Sequence, residues 1–294
     1  MKADLHIHTK YSSDGEYKVK DIVNKCIDNK IDIFAITDHN TVRAINDVST
    51  NILDSISFIP GIEIDCNYKG TDLHLLGYNI DWKSTDFETL DNDISAKVMK
   101  SFDQMIHNLD KLGISVDASR VLEVANGKLP SAELIAEVLL TDEVENKKLL
   151  PYMPGGERSD MPYLNFYLDY FAQGKPAYVM IEYMNYNDAI DLVKENGGIP
   201  IVAHPGLNFR NRESIVEELL DNGAEGLEVF NNYHNEKQIT YFAEAVTKRK
   251  ALMTCGSDFH GKTKPTIELG NYMPVGNYQS YLKDSVMEIL KTSR

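Results

Sequence analysis

Residues 3–8 read Ala-Asp-Leu-His-Ile-His, a short extended run in which two histidines stand two positions apart. Alternate side chains of a strand leave the same face, so His6 and His8 can grip one ion together. Downstream, residues 20–29 place Ile22, Val23, Cys26 and Ile27 at helical spacing, and residues 31–37 form an apolar strand that ends at Asp38-His39-Asn40. After a second helix-like stretch come strands over 57–64 and 73–78. The same rhythm returns late in the chain. Asn187 reads as the N-cap of a helix running to Glu195 and closed by Gly197-Gly198. Then follow strand 199–202, helix 214–222, strand 226–230, helix 236–250 and strand 251–255. Strands alternating with helices predict an α/β fold with a largely parallel sheet, open or closed into a barrel.

Residues 87–173 interrupt this alternation. Ile94, Val98, Phe102, Met105, Ile106, Leu109 and Leu112 trace the apolar face of a long helix that ends at Gly113. Asp117 can cap a second helix, and residues 131–140 form a third. The expected organisation is a first barrel part over 1–86, a helical insertion over 87–175 and a second barrel part over 176–294. Tyr152, Tyr163, Tyr167 and Tyr170 crowd the end of the insertion, where packing against the body is the simpler reading and stacking of a nucleobase the alternative.

Composition narrows the function. The 294 residues carry 45 Asp and Glu against 30 Lys and Arg, a formal charge of −15, and the sequence pI is about 4.9. An acidic surface repels phosphate backbones, so extensive nucleic-acid binding is not expected. With 43% hydrophobic and 26% charged residues the composition is that of a globular chain rather than a disordered one. No apolar run approaches the roughly 20 residues of a membrane span, and the first residues do not read as a signal peptide. Cys26, Cys66 and Cys255 form no CxxC and are expected as reduced thiols, which points to the cytoplasm. No heptad pattern fixes an oligomeric state.

The chemistry-bearing residues gather at predicted strand ends: His6 and His8, Asp38-His39, Glu63, His74, His204, and Asp258-Phe259-His260. Six of the eight histidines lie there, and only His107 and His234 do not. Each piece alone has a bland reading, a turn histidine at His39 or a loop residue at His204. Glu63, however, is flanked by Ile62 and Ile64, where an unpaired charge would be costly. In α/β barrels the C-terminal strand ends build the active site. Imidazoles and carboxylates without thiolate favour Mn, Fe or Zn, and so many donors imply two or three divalent ions, with Glu63 as the natural bridge. Such a cluster lowers the pKa of water and neutralises an anionic substrate, as hydrolysis of a phosphate ester requires.

The segments DLHIHTKYSSDG (4–15), AITDHNT (35–41), PGIEI (60–64), LHLLGYNI (73–80), IVAHPG (201–206), GLEVF (226–230) and CGSDFHG (255–261) resemble, in order, the motifs of the PHP (polymerase and histidinol phosphatase) superfamily. The resemblance implies a distorted (β/α)7 barrel with two or three metals. It places His6, His8, Glu63 and Asp258 on a first ion, Glu63, His74 and His204 on a second, and Asp14, His39 and His260 on a third. The chain is most similar to stand-alone members with a helical insertion, which include phosphatases of 3′,5′-nucleoside bisphosphates. Two motifs depart from that group: Lys128-Leu129-Pro130-Ser131 stands where it tends to carry Arg-Pro-His, and Leu207 where it often has Arg.

The expected activity is hydrolysis of a phosphate monoester, of a 3′,5′-nucleoside bisphosphate or an AMP-like nucleotide, by in-line attack of a hydroxide bridging the first two metals. Glu63, Asp258 and His204 are the expected catalytic residues, and Lys175, Arg210 and His234 the candidates for holding the small anionic substrate. Alternatives are a 5′-3′ exonuclease on short RNA or DNA, a histidinol-phosphatase-like activity, and a metal-binding module without catalysis.

Overall fold

The protein is described by a computed structural model covering residues 1–48, 55–141, 146–272 and 276–292. Its sheet follows the order β1-β2-β3-β4-β6-β7-β8, with β1 at Ala3–Asp4, β2 at Ile33–Ile36, β3 at Ser57–Tyr68, β4 at Thr71–Tyr78, β6 at Ile199–Val202, β7 at Gly226–Phe230 and β8 at Leu252–Cys255. A two-residue β5, Met184–Asn185, adds to β3 off this path. The ends meet where Leu5 N–H donates to Cys255 O at 3.0 Å and Asp258 N–H to His6 O at 2.9 Å. The result is a nearly closed seven-strand barrel, the distorted (β/α)7 form. Ile62, Ile64, Leu75, Ile201, Leu227 and Met253 are fully buried in its core.

The sheet is largely parallel, as the alternation predicts, with one reversal that moves His74. β4 runs antiparallel to both β3 and β6, while the other main pairs are parallel. The cause is a two-residue turn, Lys69-Gly70, with φ of 51° and 83°. Positive φ at both central residues is the hairpin turn whose twist matches that of the strands. Because β4 starts at the end where β3 finishes, His74, read from sequence as lying at or beyond a strand end, instead sits in the middle of its strand, paired with Asp65. The reversal still carries it to the barrel end that receives the other candidate ligands.

Helix α1, Val19–Asp28, buries Val19, Ile22, Val23 and Cys26. After β4 the 27-residue α2, Thr85–Lys111, is capped by Ser84, whose hydroxyl accepts from Asp86 N–H. Its first half packs Phe87, Leu90 and Ile94 on the barrel core. Its second half places Phe102, Met105 and Leu109 in a separate apolar cluster with Ile114, Val121, Ile135 and Phe166. That cluster is completed by α3, Ala118–Ala125, α4, Ala132–Leu140, and α5, Pro162–Phe166, which continues as a π-turn through Phe171. Asp117 and Ser131 cap α3 and α4. Tyr152 and Tyr170 pack against Phe166, with ring centroids 5.3 and 4.6 Å away, so most of the tyrosine group serves packing.

Helix α6, Tyr186–Glu195, is capped two residues before the expected position. Asn185, not Asn187, accepts from Asp188 N–H at 3.0 Å, because Tyr186 is needed inside, 1% exposed. The short α7, Pro205–Asn208, then α8, Ile215–Asp221, α9, Glu236–Arg249, and α10, Gln279–Thr292, follow the later strands. Replacing Asn185 with Ala is expected to cost about 1 kcal/mol in chemical denaturation, and Asn187→Ala a few tenths. The reverse ranking would restore the cap read from sequence.

Candidate active site

The barrel end formed by the C-terminal ends of β1, β2, β6 and β8 collects all nine sequence-derived ligand candidates. Glu63, in the middle of β3 and fully buried, stands at their centre. Its Oε1 lies 3.0 Å from His74 Nδ1 and 3.0 Å from His204 Nε2. Its Oε2 lies 3.1 Å from the Nε2 atoms of His6 and His8 and 3.3 Å from His39 Nδ1. One carboxylate thus presents an oxygen to each half of the site. Asp258 Oδ1 faces His6, His8 and His260 at 3.4, 3.3 and 3.5 Å, and Asp14 Oδ2 is 3.0 Å from His260 Nε2.

Three groups have ligand atoms mutually within 4.8 Å: His8, Asp14, His39 and His260; His6, Glu63, His204 and Asp258; and His39, Asp65 and His74. The membership differs from the sequence expectation. His8 falls with the Asp14 group, its ring stacked on His260 at 3.8 Å, and its Nε2 also faces Glu63 and Asp258, the partners expected from sequence. His204 moves to the His6 group, its ring stacked on His6 at 5.4 Å. Asp65 takes its place beside His74, 3.3 Å from Nε2.

The donors fit divalent ions. Nine of the twelve buried side-chain polar atoms that lack a hydrogen-bond partner among the described residues belong to this cluster: His6 Nε2, His8 Nε2, Asp14 Oδ1, His39 Nδ1, Glu63 Oε2, Asp65 Oδ1, His204 Nδ1, Asp258 Oδ1 and His260 Nε2. Buried polar atoms are otherwise almost always satisfied. Ligand atoms at roughly 2.0–2.2 Å from one ion stand about 3.0–3.5 Å apart, the spacing seen here. The remaining ring nitrogens are held from behind. His6 Nδ1 meets Glu228 Oε1 at 3.1 Å, His8 Nδ1 meets Ser12 Oγ at 3.1 Å and His260 Nδ1 meets Asp258 O at 2.9 Å, which orients each Nε2 inward.

Protons and metal ions compete for such atoms. Burial opposes charge throughout, yet His6 is held well above its usual pKa by Glu63, Glu228 and Asp258. Glu63 is held well below its own by His6, His39 and His74. Burial and the neighbouring His260 and His39 push His8 down to about 4.

The expected substrate residues are not brought together. Lys175 and Arg210 are exposed and lie outside the walls of the cavity that opens over the cluster. His234 is 3% exposed, and both its nitrogens serve the backbone: Nδ1 lies 2.9 Å from Val229 O, and Nε2 accepts from Gly206 N–H at 3.0 Å. It props the turn after His204 and does not reach the cavity. The cavity, of about 1240 Å³, is lined instead by Arg43, Arg212, Lys128 and Lys264. Arg43, Arg212 and Lys264 occupy positions that spacing could not flag, whereas Lys128 stands in the segment that departs from the family motif and donates to Gly15 O at 2.6 Å. Asp65 and Glu228 carried a readable signal. Asp65 shares a strand face with Glu63, and Glu228 lies inside the apolar run 226–230.

Residues 4–228 match the PHP domain family, and the chain belongs to that family. Similarity extends over nearly its whole length to individual members. The 5′-3′ exoribonuclease Rnm of Escherichia coli strain K12 is 28% identical over 283 residues, 93% of this chain and 90% of that protein. The 3′,5′-nucleoside bisphosphate phosphatase of Chromobacterium violaceum is 22% identical over 275 residues, 91% of this chain and 90% of that protein. A solved structure from Bifidobacterium adolescentis, assigned as a metal-dependent phosphoesterase, superposes with a TM-score of 0.79 at 22% identity, covering 99% of this chain and 96% of that one. The chain is a hydrolase acting on phosphoric ester bonds.

Two outcomes test the site. Glu63→Gln is expected to lower bound manganese by at least one ion per chain, measured by elemental analysis, with the circular dichroism spectrum unchanged; full metal content would remove Glu63 from the bridge. Glu133, on α4 in the cavity wall, is pushed up to about 7 by burial and the Asp14 carboxylate beside it. An acid raised on folding favours the protonated native state, so stability falls as pH rises from about 4.5 to 7. In metal-free protein Glu133→Gln should therefore raise Tm more at pH 8 than at pH 5, by roughly 2–4 °C per kcal/mol recovered. Equal shifts at the two pH values would place the carboxyl in solvent.

Proposed function

We propose that the chain hydrolyses a phosphate monoester of a nucleotide, a 3′,5′-nucleoside bisphosphate or an AMP-like molecule, with two or three divalent ions of Mn, Fe or Zn held by His6, His8, Asp14, His39, Glu63, Asp65, His74, His204, Asp258 and His260. The observation that carries this reading is the set of nine partnerless side-chain atoms on and around Glu63, six of them on residues that line one cavity. Bound divalent metals supply Lewis acidity and a lowered pKa for water there.

The side chains of this protein do the rest. Glu63 divides its two oxygens between two histidine sets and so fixes the spacing of the donor groups. Asp258 presents Oδ1 to the cluster while its Oδ2 is tied back by the Tyr233 hydroxyl at 2.8 Å. Glu228 orients two members at once, with Oε1 at His6 Nδ1 and Oε2 accepting from His204 N–H at 2.8 Å. The insertion roofs the cavity with Leu129, Leu164, Tyr167 and Phe171, excluding water from the side facing the donors. Arg43 and Arg212, further along the wall, can meet a second phosphate.

A second reading, 5′-3′ exonuclease action on short RNA, is favoured by cavity size. About 1240 Å³ exceeds the roughly 300–1,000 Å³ of common small-ligand sites, and the Escherichia coli relative carries that activity in its name. Manganese-loaded protein offered adenosine 3′,5′-bisphosphate, AMP, histidinol phosphate and a short 5′-phosphorylated RNA separates the two. Inorganic phosphate released chiefly from the bisphosphate supports the first reading. Mononucleotides shed stepwise from the RNA support the second, and no hydrolysis with metals bound rejects both.

A further inference from the structure

Lys264 is 7% exposed, unusual for a lysine unless it is paired. Its Nζ lies 2.5 Å from Asp258 Oδ2 and 5.4 Å from the centre of the Tyr233 ring. The Tyr233 hydroxyl donates to that same oxygen at 2.8 Å. Asp258 Oδ2 is therefore already satisfied by a neutral donor, and Oδ1 is turned to the histidines. A second, charged donor is more than orientation of Asp258 requires, and burying an ammonium carries a desolvation cost.

Its position suggests what the charge is for. Lys264 lines the cavity together with Asp14, His39 and Asp258. The turn that carries it, Gly261–Thr263, is pinned to the Asp14 loop: Thr263 Oγ1 donates to Asp14 O at 2.7 Å and Lys262 N–H to Glu16 Oε2 at 2.8 Å. Lys264 N–H itself closes the turn on Gly261 O at 3.0 Å. The backbone is fixed while four methylenes leave the ammonium free to swing. An ammonium has three donors, and the hydrogen bond to Asp258 Oδ2 does not use them all, which leaves donor capacity for the cavity. Once divalent charge sits on the Oδ1 side of Asp258, Lys264 adds surplus positive potential on the cavity wall, which an anionic ligand balances.

We infer that Lys264 is a phosphate-binding residue, resting on Asp258 Oδ2 in the free protein and donating to a non-bridging phosphate oxygen of the bound substrate. The assignment rests on the phosphoesterase reading above and names the group that replaces Lys175, Arg210 and His234 as the anchor. Ionic hydrogen bonds to phosphate are among the stronger ones, so a loss of roughly 10- to 100-fold in phosphate affinity follows from removing this one.

The test is calorimetric binding of inorganic phosphate to manganese-loaded protein, with metal content measured on the same samples. Lys264→Met is expected to weaken phosphate binding about 10- to 100-fold at unchanged manganese content, and to raise KM for the hydrolysed ester with little change in kcat. Lys264→Arg should recover much of the affinity. If the Met variant does not fold, Lys264→Gln, which keeps a neutral donor to Asp258, makes the same comparison. Unchanged phosphate affinity, or a loss of manganese that accounts for the change, makes Lys264 only a counter-ion of Asp258 and overturns the inference. Wild-type protein that binds phosphate through Lys264 yet hydrolyses none of the esters leaves the inference standing and rejects the proposed function.

Discussion

The constraint on which this structure turns is a single carboxylate that folding removes entirely from water. Glu63 sits in β3 between Ile62 and Ile64, three residues with no solvent exposure. Burying an uncompensated carboxylate costs several kcal/mol. The fold answers by surrounding it with five imidazoles, three on one oxygen and two on the other. The five histidines arrive from four strands, His6 and His8 together from the end of β1. The barrel is the arrangement that lets β1, β2, β4 and β6 deliver them to one point. The β3–β4 hairpin is part of the same solution, since only a reversed β4 brings His74 to that end.

This geometry is held under backbone strain. Asp258 occupies the left-handed region at φ 59°, and His204 sits at φ 22°, ψ 60°, conformations costing about 1–3 kcal/mol each. The surroundings fix them. Asp258 is tied through its backbone to His6 O, and His204 through its N–H to Glu228. Close backbone approach completes the frame. A Cβ on Gly256 would stand 2.3 Å from His6 Cβ, and one on Gly206 would stand 2.5 Å from His234 Cδ2. His234 is thus spent on holding the His204 turn, with both ring nitrogens engaged by backbone.

What sequence revealed and what it hid divide along the range of the interactions. The strand-end histidines were legible because period-two alternation and strand boundaries are local, and so were Glu63 and the cap Asp117. Asp65 and Glu228 carry the same local signal as Glu63, a carboxylate on an apolar strand. The antiparallel β4 rested on Lys69-Gly70, a weaker turn signal than Asn-Gly. The cap at Asn185 was displaced by Tyr186, whose hydroxyl reaches Leu219 O at 2.7 Å, a contact 33 residues away that no local pattern carries. The cavity cations were hidden for the same reason. Lys128 and Lys264 are 136 positions apart, and only the insertion's return to the barrel places both on one wall.

That division separates chemistry from selectivity. The donors come almost wholly from the barrel, whose strand ends are set by motif residues. The outer wall comes from α2, α4 and the π-turn, whose apolar cluster is distinct from the barrel core. Helix α2 links the two, packing Phe87 and Ile94 below and Phe102 and Met105 above. Substitutions at Lys128 to Ser131 or at Leu207 can therefore reshape the cavity while leaving the donor set unstrained. The overall charge of −15 works in the same direction. On the proposed function, anionic substrates are gathered locally by the few cations on this wall, whose size and charge then set which phosphate ester is cleaved.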